Sequence, residues 1–232
     1  MARGENQGLP STQVIIAALN EEEGIGLTIA EFMANPGFPR VLVVDGRSTD
    51  RTVKVAKDMG AEVLFQDGLG KGDALAKAIE HLDSTVDYVI LTDADHTYPA
   101  KYVPEMIQIL EDHPEVGMVC GNRFNHHLDV KALHSVFIFG NRLIALTHGL
   151  LNSVPMRDPL TGLRVVRAEI FRNWKIKSKG FDVEVELNHR VEREGFDIAE
   201  VDIKYRERLG VKKLKVRHGA EILKRIMLET TY

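Results

Sequence analysis

Two carboxylates stand two residues apart where an apolar run ends. Asp93 and Asp95 follow the mostly apolar and β-branched stretch 86–91, which predicts a buried strand. Side chains at positions i and i+2 of an extended backbone point the same way, so both carboxylates can converge on one point. Such a pair suits a hard divalent cation and the phosphates it carries, although an acidic turn that merely ends a strand would look the same. The pair is therefore a candidate metal and phosphate site.

Two more candidates lie in the first half of the chain. Asp45 ends another apolar run, where it could accept a hydrogen bond from a nucleoside base or ribose, or only take part in a capping turn. The glycine-rich loop 67–72 carries Lys71 and is of the kind that approaches a ligand closely, but a plain loop is an equal alternative. Its spacing is not that of a P-loop.

The second half adds acids and bases. Glu184 and Glu186 could supply a general base, or could cap and solubilise the start of a helix. A basic segment, followed by an amphipathic helical pattern over residues 220–228, fits an anionic and partly apolar partner such as a membrane surface, or else a solvated charged face. No aromatic residues interleave these cations, which argues against nucleic acid. The cations are Arg206, Arg208, Lys212, Lys213, Lys215 and Arg217.

Alternating strand and helix patterns must position these residues. At spacings of roughly 25 residues, such alternation is typical of βαβ units around a parallel sheet. Ligands bind outside the carboxyl ends of parallel strands, and Asp45, the loop 67–72 and the Asp93/Asp95 pair all fall at those ends. The predicted strands are 14–18, 40–45, 61–66 and 86–93, and the predicted helices are 24–33, 52–59 and 73–81.

The pattern changes after Pro99. An alternation of polar and apolar residues predicts an exposed antiparallel strand over 198–205. The other predicted elements are helix 102–111, strand 116–124, a long apolar helix 133–151, a strand near Val165, a helix from Arg167 or Ala168, and a helix ending at Glu194.

Bulk composition limits the class of protein. A chain of 232 residues can form one large domain with a substantial core. The single cysteine, Cys120, excludes an internal disulfide framework and a cysteine-based zinc site, and it reads as a core residue. No apolar run approaches the roughly 20 residues of a membrane span, and residues 1–12 lack the hydrophobic segment of a signal peptide. We expect a cytoplasmic protein.

With these residues in view, the chain resembles the family 2 glycosyltransferases of the GT-A fold, in particular the branch that loads sugars onto dolichyl or other polyprenyl phosphates. The resemblance implies an α/β, Rossmann-like three-layer sandwich with a mostly parallel central sheet. It implies a catalytic domain over 13–217, between a flexible N-terminus at 1–12 and an amphipathic helix at 218–232. The blocks that carry the resemblance are 17–22, 44–50, 70–72, 93–95, 121–123, 158–164 and 208–214.

The resemblance also implies roles for single residues. Asp95 would be the chief ligand of Mg²⁺ or Mn²⁺, Asp93 would lie near the ribose or the metal, and Thr97 would be a weaker ligand. Glu21 and Asp45 would hold the nucleoside. The other residues implied in the donor site are Ala17, Leu19, Val44, Lys71 and Ala94, and those implied in gripping phosphates are Arg123, Arg208 and Lys213. The chain departs from the family pattern at Ala17, Gly46, Thr97 and Lys212.

The resemblance implies metal-dependent, inverting transfer of a sugar from a UDP- or GDP-sugar to a polyprenyl phosphate, at the cytoplasmic face of a membrane. A lipid phosphate is already an anion and needs no base. Two alternatives stay open. A family 2 transferase acting on a sugar or small-molecule hydroxyl would need Glu184 or Glu186 as its base. A nucleotide- or lipid-binding module would need no catalytic group.

Overall fold

The computed structural model describes residues 10–35, 37–38, 40–124, 156–211 and 216–229. The predicted helix 133–151 and residues 212–215, which include Lys213, lie outside these ranges. The strands are β1 Thr12–Ala18, β2 Val41–Asp45, β3 Glu62–Phe65, β4 Tyr88–Asp93, β5 Val116–Asn122, β6 Arg164–Arg167 and β7 Asp197–Asp202. The α-helices are α1 Ile25–Met33, α2 Thr52–Asp58, α3 Lys71–Glu80, α4 Val103–Asp112, α5 Val183–Arg193 and α6 Val216–Glu229.

The described strands form one mixed sheet in the order β3-β2-β1-β4-β6-β5-β7. Strands β1 to β4 pair in parallel, as the alternation of strand and helix predicts. Strand β6 runs antiparallel to both of its neighbours, β4 and β5. The sheet is therefore mostly parallel, and its parallel half carries the strand ends at which the candidate residues lie.

Two predictions for the second half are wrong. The strand predicted to be exposed and antiparallel over 198–205 is β7, which ends at Asp202 and pairs in parallel with β5 at the edge of the sheet. Alternation along a strand reports which face is buried, whereas direction depends on how the chain returns from α5. The helix predicted from Arg167 or Ala168 is only a 3-10 turn, Ala168–Phe171.

Alternate side chains of β1 enter two separate cores. Val14 and Ile16 pack on one face of the sheet with Ile29 of α1, whereas Ile15 packs on the other face with Leu75 of α3. Successive residues of a strand point to opposite faces, so helices cover both sides. This arrangement is the predicted three-layer sandwich. The cysteine at position 120 is fully buried in the second core.

In the described ranges, none of the helices combines the length and the apolar character needed to cross a bilayer.

Candidate functional site

Parallel pairing brings the carboxyl ends of neighbouring strands together. Asp93 at the end of β4 lies in register with Ala17 of β1, and Asp45 at the end of β2 lies in register with Ala18. The glycine-rich loop reaches the same edge, because Lys71 Nζ lies 2.7 Å from Asp93 Oδ1. The structure thus brings together the three features that the sequence places at strand ends.

Lys71 lies between two carboxylates. Its Nζ donates hydrogen bonds to Asp93 Oδ1 and to Glu184 Oε1, each at 2.7 Å. Burial alone would lower the pKa of Lys71, but the two carboxylates outweigh burial and raise this pKa above its usual value. Lys71 is also the first residue of α3, two residues before the predicted start, and follows Gly70 at φ +90°. The side chain is therefore a fixed positive charge at the start of a helix.

The carboxylates around Lys71 differ in their pKa. Burial raises the pKa of Glu184, although Lys71 acts in the opposite direction. Burial would also raise the pKa of Asp93, but the charge and the hydrogen bond of Lys71 overcome it and lower this pKa. Asp93 is the more firmly ionised partner.

Asp95 is buried, with 2% of its surface exposed. Its Oδ1 accepts hydrogen bonds from Thr97 Oγ1 at 2.6 Å and from the Thr97 N–H at 3.2 Å. Its Oδ2 accepts one from Arg208 Nη1, and Arg208 Nη2 donates to Glu21 Oε1. Burial and the neighbouring charge of Asp93 raise the pKa of Asp95. Thr97, predicted as a weak metal ligand, orients Asp95 in this structure.

The 203–211 segment holds Arg208 over the strand ends. The Arg206 N–H donates to the carbonyl of Thr97 at 3.0 Å, and the Leu209 N–H donates to the carbonyl of Asp95 at 3.2 Å. The Arg206 guanidinium forms a two-bond fork with Glu31 of α1, at 2.6 and 2.9 Å. Sequence reasoning missed this clamp, because Arg206 and Glu31 are separated by 175 positions.

Asp45 is fully buried and takes part in a turn. Its Oδ1 accepts a hydrogen bond from the Ser48 N–H at 2.7 Å, and its Oδ2 accepts one from Ser48 Oγ at 2.5 Å. Ser48 Oγ in turn accepts from the Asn20 N–H at 2.8 Å. These bonds join the turns after β1 and β2. Leu19 stands 44% exposed on the first of these turns.

Arg123 follows β5 and forms an ion pair with Asp158. Its Nε and Nη2 donate to the two oxygens of Asp158 at 2.6 and 2.7 Å, the fork geometry that favours arginine over lysine. Asp158 is fully buried, and Arg123 also donates to the Leu160 carbonyl at 3.1 Å. The structure therefore shows Arg123 holding the 158–162 loop.

Glu184 and Glu186 lie two residues apart in the first turn of α5 and contact different groups. Glu184 binds Lys71, whereas Glu186 accepts hydrogen bonds from the backbone N–H groups of Lys177 at 2.8 Å and Ser178 at 2.6 Å. Residues at i and i+2 of a helix do not share a face. Of the two, Glu184 alone contacts another candidate residue in the part of the chain that the structure describes.

The donor set fits a hard divalent cation completed by a substrate. Among the residues described, no group of three or more histidine, cysteine, aspartate or glutamate side chains forms a ready metal cage. Mg²⁺ and similar ions are commonly held by one or two carboxylates, with phosphate and water oxygens filling the other positions. Asp95 and Asp93 offer such carboxylates. Arg208 Nε is buried and has no hydrogen-bond partner in the described part of the chain, so a donor for an anion is present beside them.

Gly162 brings a further residue, Tyr98, to the site. The Gly162 N–H donates to Tyr98 Oη at 2.7 Å, and a Cβ at position 162 would lie 2.4 Å from Asp93 Oδ2. Tyr98 packs edge-on against Tyr205 of the 203–211 segment. Sequence reasoning did not select Tyr98, although its position five residues after Asp93 is the one signal that could have found it.

The remaining candidates fall on the strand ends or outside the described residues. Val44 and Ala94 are buried and Ala17 is half-buried, so they form the floor of this edge. Lys213 lies outside the described ranges, and its predicted contact with phosphate stays a prediction.

Comparison with solved structures supports the GT-A fold. Glucosyl-3-phosphoglycerate synthase from Mycobacterium tuberculosis, in complex with Mn²⁺, UDP and glucosyl-3-phosphoglycerate, superimposes with a TM-score of 0.75. The match covers 96% of this chain and 80% of that one at 21% identity. At this identity the likeness shows the fold, a GT-A α/β sandwich.

Comparison with sequences shows the family. A "Dolichyl-phosphate hexose transferase" from Haloferax volcanii is 34% identical over 204 residues, which are 87% of this chain and 85% of the relative. "Glycosyltransferase AglJ" from the same organism is 33% identical over 195 residues, which are 83% of this chain and 62% of AglJ. The model of the family "Glycosyl transferase family 2" matches residues 13–173. The chain is therefore a glycosyltransferase and belongs to glycosyl transferase family 2.

Proposed function

We propose that this glycosyltransferase moves a sugar from a UDP- or GDP-sugar to a dolichyl or other polyprenyl phosphate. The proposal rests on the observation that both candidate bases already accept hydrogen bonds from other groups of the protein. Glu184 is held by Lys71, and both oxygens of Glu186 accept backbone hydrogen bonds. An acceptor that is already an anion needs neither base. A relative that is 34% identical is named a dolichyl-phosphate hexose transferase, which supports the same acceptor class.

The carboxylates would hold the divalent cation. Asp95, with Asp93 beside it, would bind Mg²⁺ or Mn²⁺, and Thr97 would keep Asp95 in its orientation. The ion, when bound, would offset the negative charge that develops on the leaving diphosphate. A solved fold neighbour is in complex with both Mn²⁺ and UDP, which supports this assignment.

The nucleoside would lie across the ends of β1 and β2. Glu21 and Asp45 would contact its polar groups, and the exposed Leu19 would pack against it. The backbone around Ala17, Val44 and Ala94 would form the floor of this subsite, and Lys71 would contact the donor from the start of α3.

Basic residues would hold two anionic substrates together. Arg208 carries a buried Nε–H with no partner among the described residues, and its two other nitrogens bind Asp95 and Glu21. This guanidinium, with Arg123 and Lys213, would bind the phosphates of donor and acceptor. With both substrates so placed, the acceptor phosphate oxygen would attack the anomeric carbon in line with the leaving diphosphate, which inverts the configuration.

A membrane surface would present the lipid. Helix α6 buries Ile222 and Ile226 against α5, while Met227 and Leu228 are 57% and 44% exposed. Exposed apolar residues on a helix that follows a basic segment suit an anionic lipid surface. We therefore propose a peripheral enzyme at the cytoplasmic face of the membrane.

A donor panel tests the proposal. UDP-glucose, UDP-GlcNAc and GDP-mannose are each supplied with Mn²⁺, with and without a short polyprenyl phosphate. We expect transfer with one donor only when the lipid phosphate is present, and a loss of about 10²-fold or more in Asp95→Asn. Asp58→Asn, which changes an exposed aspartate of α2, is the control and should keep full activity. Donor turnover that ignores the lipid phosphate would overturn the proposal.

One observation favours a second candidate, transfer to a sugar or small-molecule hydroxyl. Burial raises the pKa of Glu184, and a raised pKa suits a general base. Glu184→Gln separates the two functions. With a phosphate acceptor we expect kcat to fall by less than about tenfold, whereas loss of a base would lower kcat by about 10²- to 10⁴-fold.

A further inference from the structure

We propose that Glu186 is a positioning residue that acts through the 177–180 loop to hold Lys71 in the site. Within the described residues, Glu186 contacts the backbone of this loop and the Arg225 guanidinium, 4.0 Å away, and none of the candidate site residues. It fixes a loop on which the glycine-rich turn of Lys71 rests. The inference rests on the proposed function in one respect, namely that Lys71 contacts the nucleotide donor.

The first link joins Glu186 to the 177–180 loop. The carboxylate is 4% exposed, and its two oxygens accept separate hydrogen bonds from consecutive backbone N–H groups, Lys177 at 2.8 Å and Ser178 at 2.6 Å. Hydrogen bonds to an ionised acceptor are stronger than neutral ones. Two such bonds fix both the position and the direction of the loop.

The second link joins the loop to the glycine-rich turn. The Gly72 N–H donates to the Lys179 carbonyl at 2.9 Å. A Cβ at position 72 would lie 2.1 Å from the Ser178 carbonyl oxygen, and a Cβ at Gly70 would lie 2.3 Å from the Lys179 carbonyl oxygen. Only glycine allows the two backbones to come this close. Movement of the 177–180 loop is therefore transmitted to both neighbours of Lys71.

The third link is Lys71 itself. Its Nζ bridges Asp93 and Glu184 at 2.7 Å each. The direction of the Lys71 side chain therefore depends on where the first turn of α3 begins. Glu184 precedes Glu186 by two residues on α5. The same helix therefore holds Lys71 by its ammonium group, through Glu184, and by its backbone neighbours, through Glu186.

Glu186→Gln is the primary variant because it keeps the shape of the side chain and changes the hydrogen bonds that the side chain can form. A glutamine has one acceptor oxygen, and its amide group would face a backbone N–H that also donates. Glu194→Gln is the matched control, since Glu194 directly follows the same helix, has a side chain that is 39% exposed and pairs with Arg190.

A second pair of variants changes the hydrogen bonding between Glu186 and the 177–180 loop without any substitution in α5. Lys177→Pro removes the N–H that donates to Glu186 Oε1, whereas Lys177→Ala keeps it. The Lys177 side chain is exposed, so this pair stays informative if Glu186→Gln does not fold.

Two measurements test the proposal. In the ligand-free protein, amide hydrogen exchange at Gly72 should be about tenfold faster in Glu186→Gln and Lys177→Pro, and unchanged in the two controls. The dissociation constants of UDP and GDP with Mn²⁺ should rise about tenfold for whichever nucleotide the wild type binds. In a double-mutant cycle, Lys71→Met with Glu186→Gln should bind no more weakly than Lys71→Met alone, because both act through Lys71.

Two results would overturn the proposal, because a purely structural carboxylate would give either of them. One is that the effects of Lys71→Met and Glu186→Gln on nucleotide binding are additive. The other is that amide exchange at Gly72 is unchanged in folded Glu186→Gln and Lys177→Pro. If the wild type binds neither nucleotide, the donor assignment fails, and the exchange measurement still decides the role of Glu186.

Discussion

Asp93 and Asp95 stand two residues apart, yet their surroundings shift their pKa values in opposite directions. Lys71 overcomes burial at Asp93 and lowers its pKa, whereas burial and the charge of Asp93 raise the pKa of Asp95. Each carboxylate nonetheless has a cation beside it, Lys71 for Asp93 and Arg208 for Asp95. The charged residues at this site therefore act in pairs, and a substitution of one partner changes the pKa of the other.

Gly162→Ala tests how closely the site is packed at the residue scale. The added Cβ would lie 2.4 Å from Asp93 Oδ2 and 2.9 Å from Tyr98 Cε2, so Asp93 must move. We expect kcat/KM to fall about 10²-fold, as for a misplacement of about 1 Å, with a loss of stability of about 1–3 kcal/mol. Steady-state kinetics and urea unfolding measure the two effects.

Gly219→Ala is the control for this substitution. Its added Cβ meets no heavy atom within 4 Å, and alanine favours the helical backbone of α6. This variant should keep full activity and equal or exceed the wild type in stability. Wild-type kinetics in Gly162→Ala would show that the contact with Asp93 is unimportant.

The 203–211 segment is the element that closes the site from outside the sheet. It has no regular secondary structure of its own. Two backbone hydrogen bonds to residues 95–97 and the fork between Arg206 and Glu31 attach it, together with the bonds that Arg208 donates to Asp95 and Glu21 and the ring contact of Tyr205. A segment that lacks the continuous hydrogen-bond ladder of a strand is expected to open locally at lower cost than the sheet.

Glu31→Gln tests this attachment through its pH dependence. Burial would raise the pKa of Glu31, but Arg206 overcomes it, so the folded pKa lies below the usual 4.5. A lowered folded pKa means that ionised Glu31 contributes stability above pH 4.5, and that this contribution disappears as pH falls through the folded value. The difference in Tm between wild type and Glu31→Gln should therefore be largest near neutral pH and shrink in acid.

Glu62→Gln, an exposed position on β3, is the control and should track the wild type across the pH series. A difference between wild type and Glu31→Gln that stays constant from neutral to acid pH would show that ionised Glu31 does not attach the segment.

At the scale of the whole molecule, one buried arginine joins the sheet to two other parts. Arg164 at the start of β6 is 1% exposed, and it donates to Asn188 Oδ1 of α5 at 2.5 Å. It also donates to the carbonyls of Pro159 at 2.8 Å and Thr161 at 2.9 Å, in the loop that Arg123 holds. The sheet, α5 and the 158–162 loop thus share one hydrogen-bonded centre.

Arg164→Leu should therefore destabilise the whole fold. The substitution removes the hydrogen bonds that Arg164 donates to two buried acceptors, Asn188 Oδ1 and the Thr161 carbonyl, whereas the Pro159 carbonyl keeps its bond from Asn188 Nδ2. We expect this loss to cost about 3 kcal/mol or more in the free energy of unfolding. Urea denaturation followed by circular dichroism measures the change. Arg172→Leu, at an exposed position, should stay within about 0.5 kcal/mol of the wild type, and a similarly small effect for Arg164→Leu would contradict this account.

The sequence alone determined the parallel half of the fold and the edge where the site lies. Apolar runs alternating with helical patterns predict β1 to β4 and the helices between them, because burial on both faces and amphipathic periodicity are local properties. The same pattern places Asp45, Lys71 and the Asp93/Asp95 pair at strand ends. The likeness of the ordered motifs to family 2 glycosyltransferases gave the family.

Tertiary structure alone decided what each of these residues contacts. Glu184 reaches Lys71, and Arg208 reaches Asp95, across 113 positions in each case, and no local pattern reports a contact of that separation. Sequence reasoning treated Glu184 and Glu186 alike, whereas the first turn of α5 directs one to Lys71 and the other to a backbone loop. The direction of β7 was likewise set by the path of the chain, since alternation encodes which face is buried and leaves strand direction open.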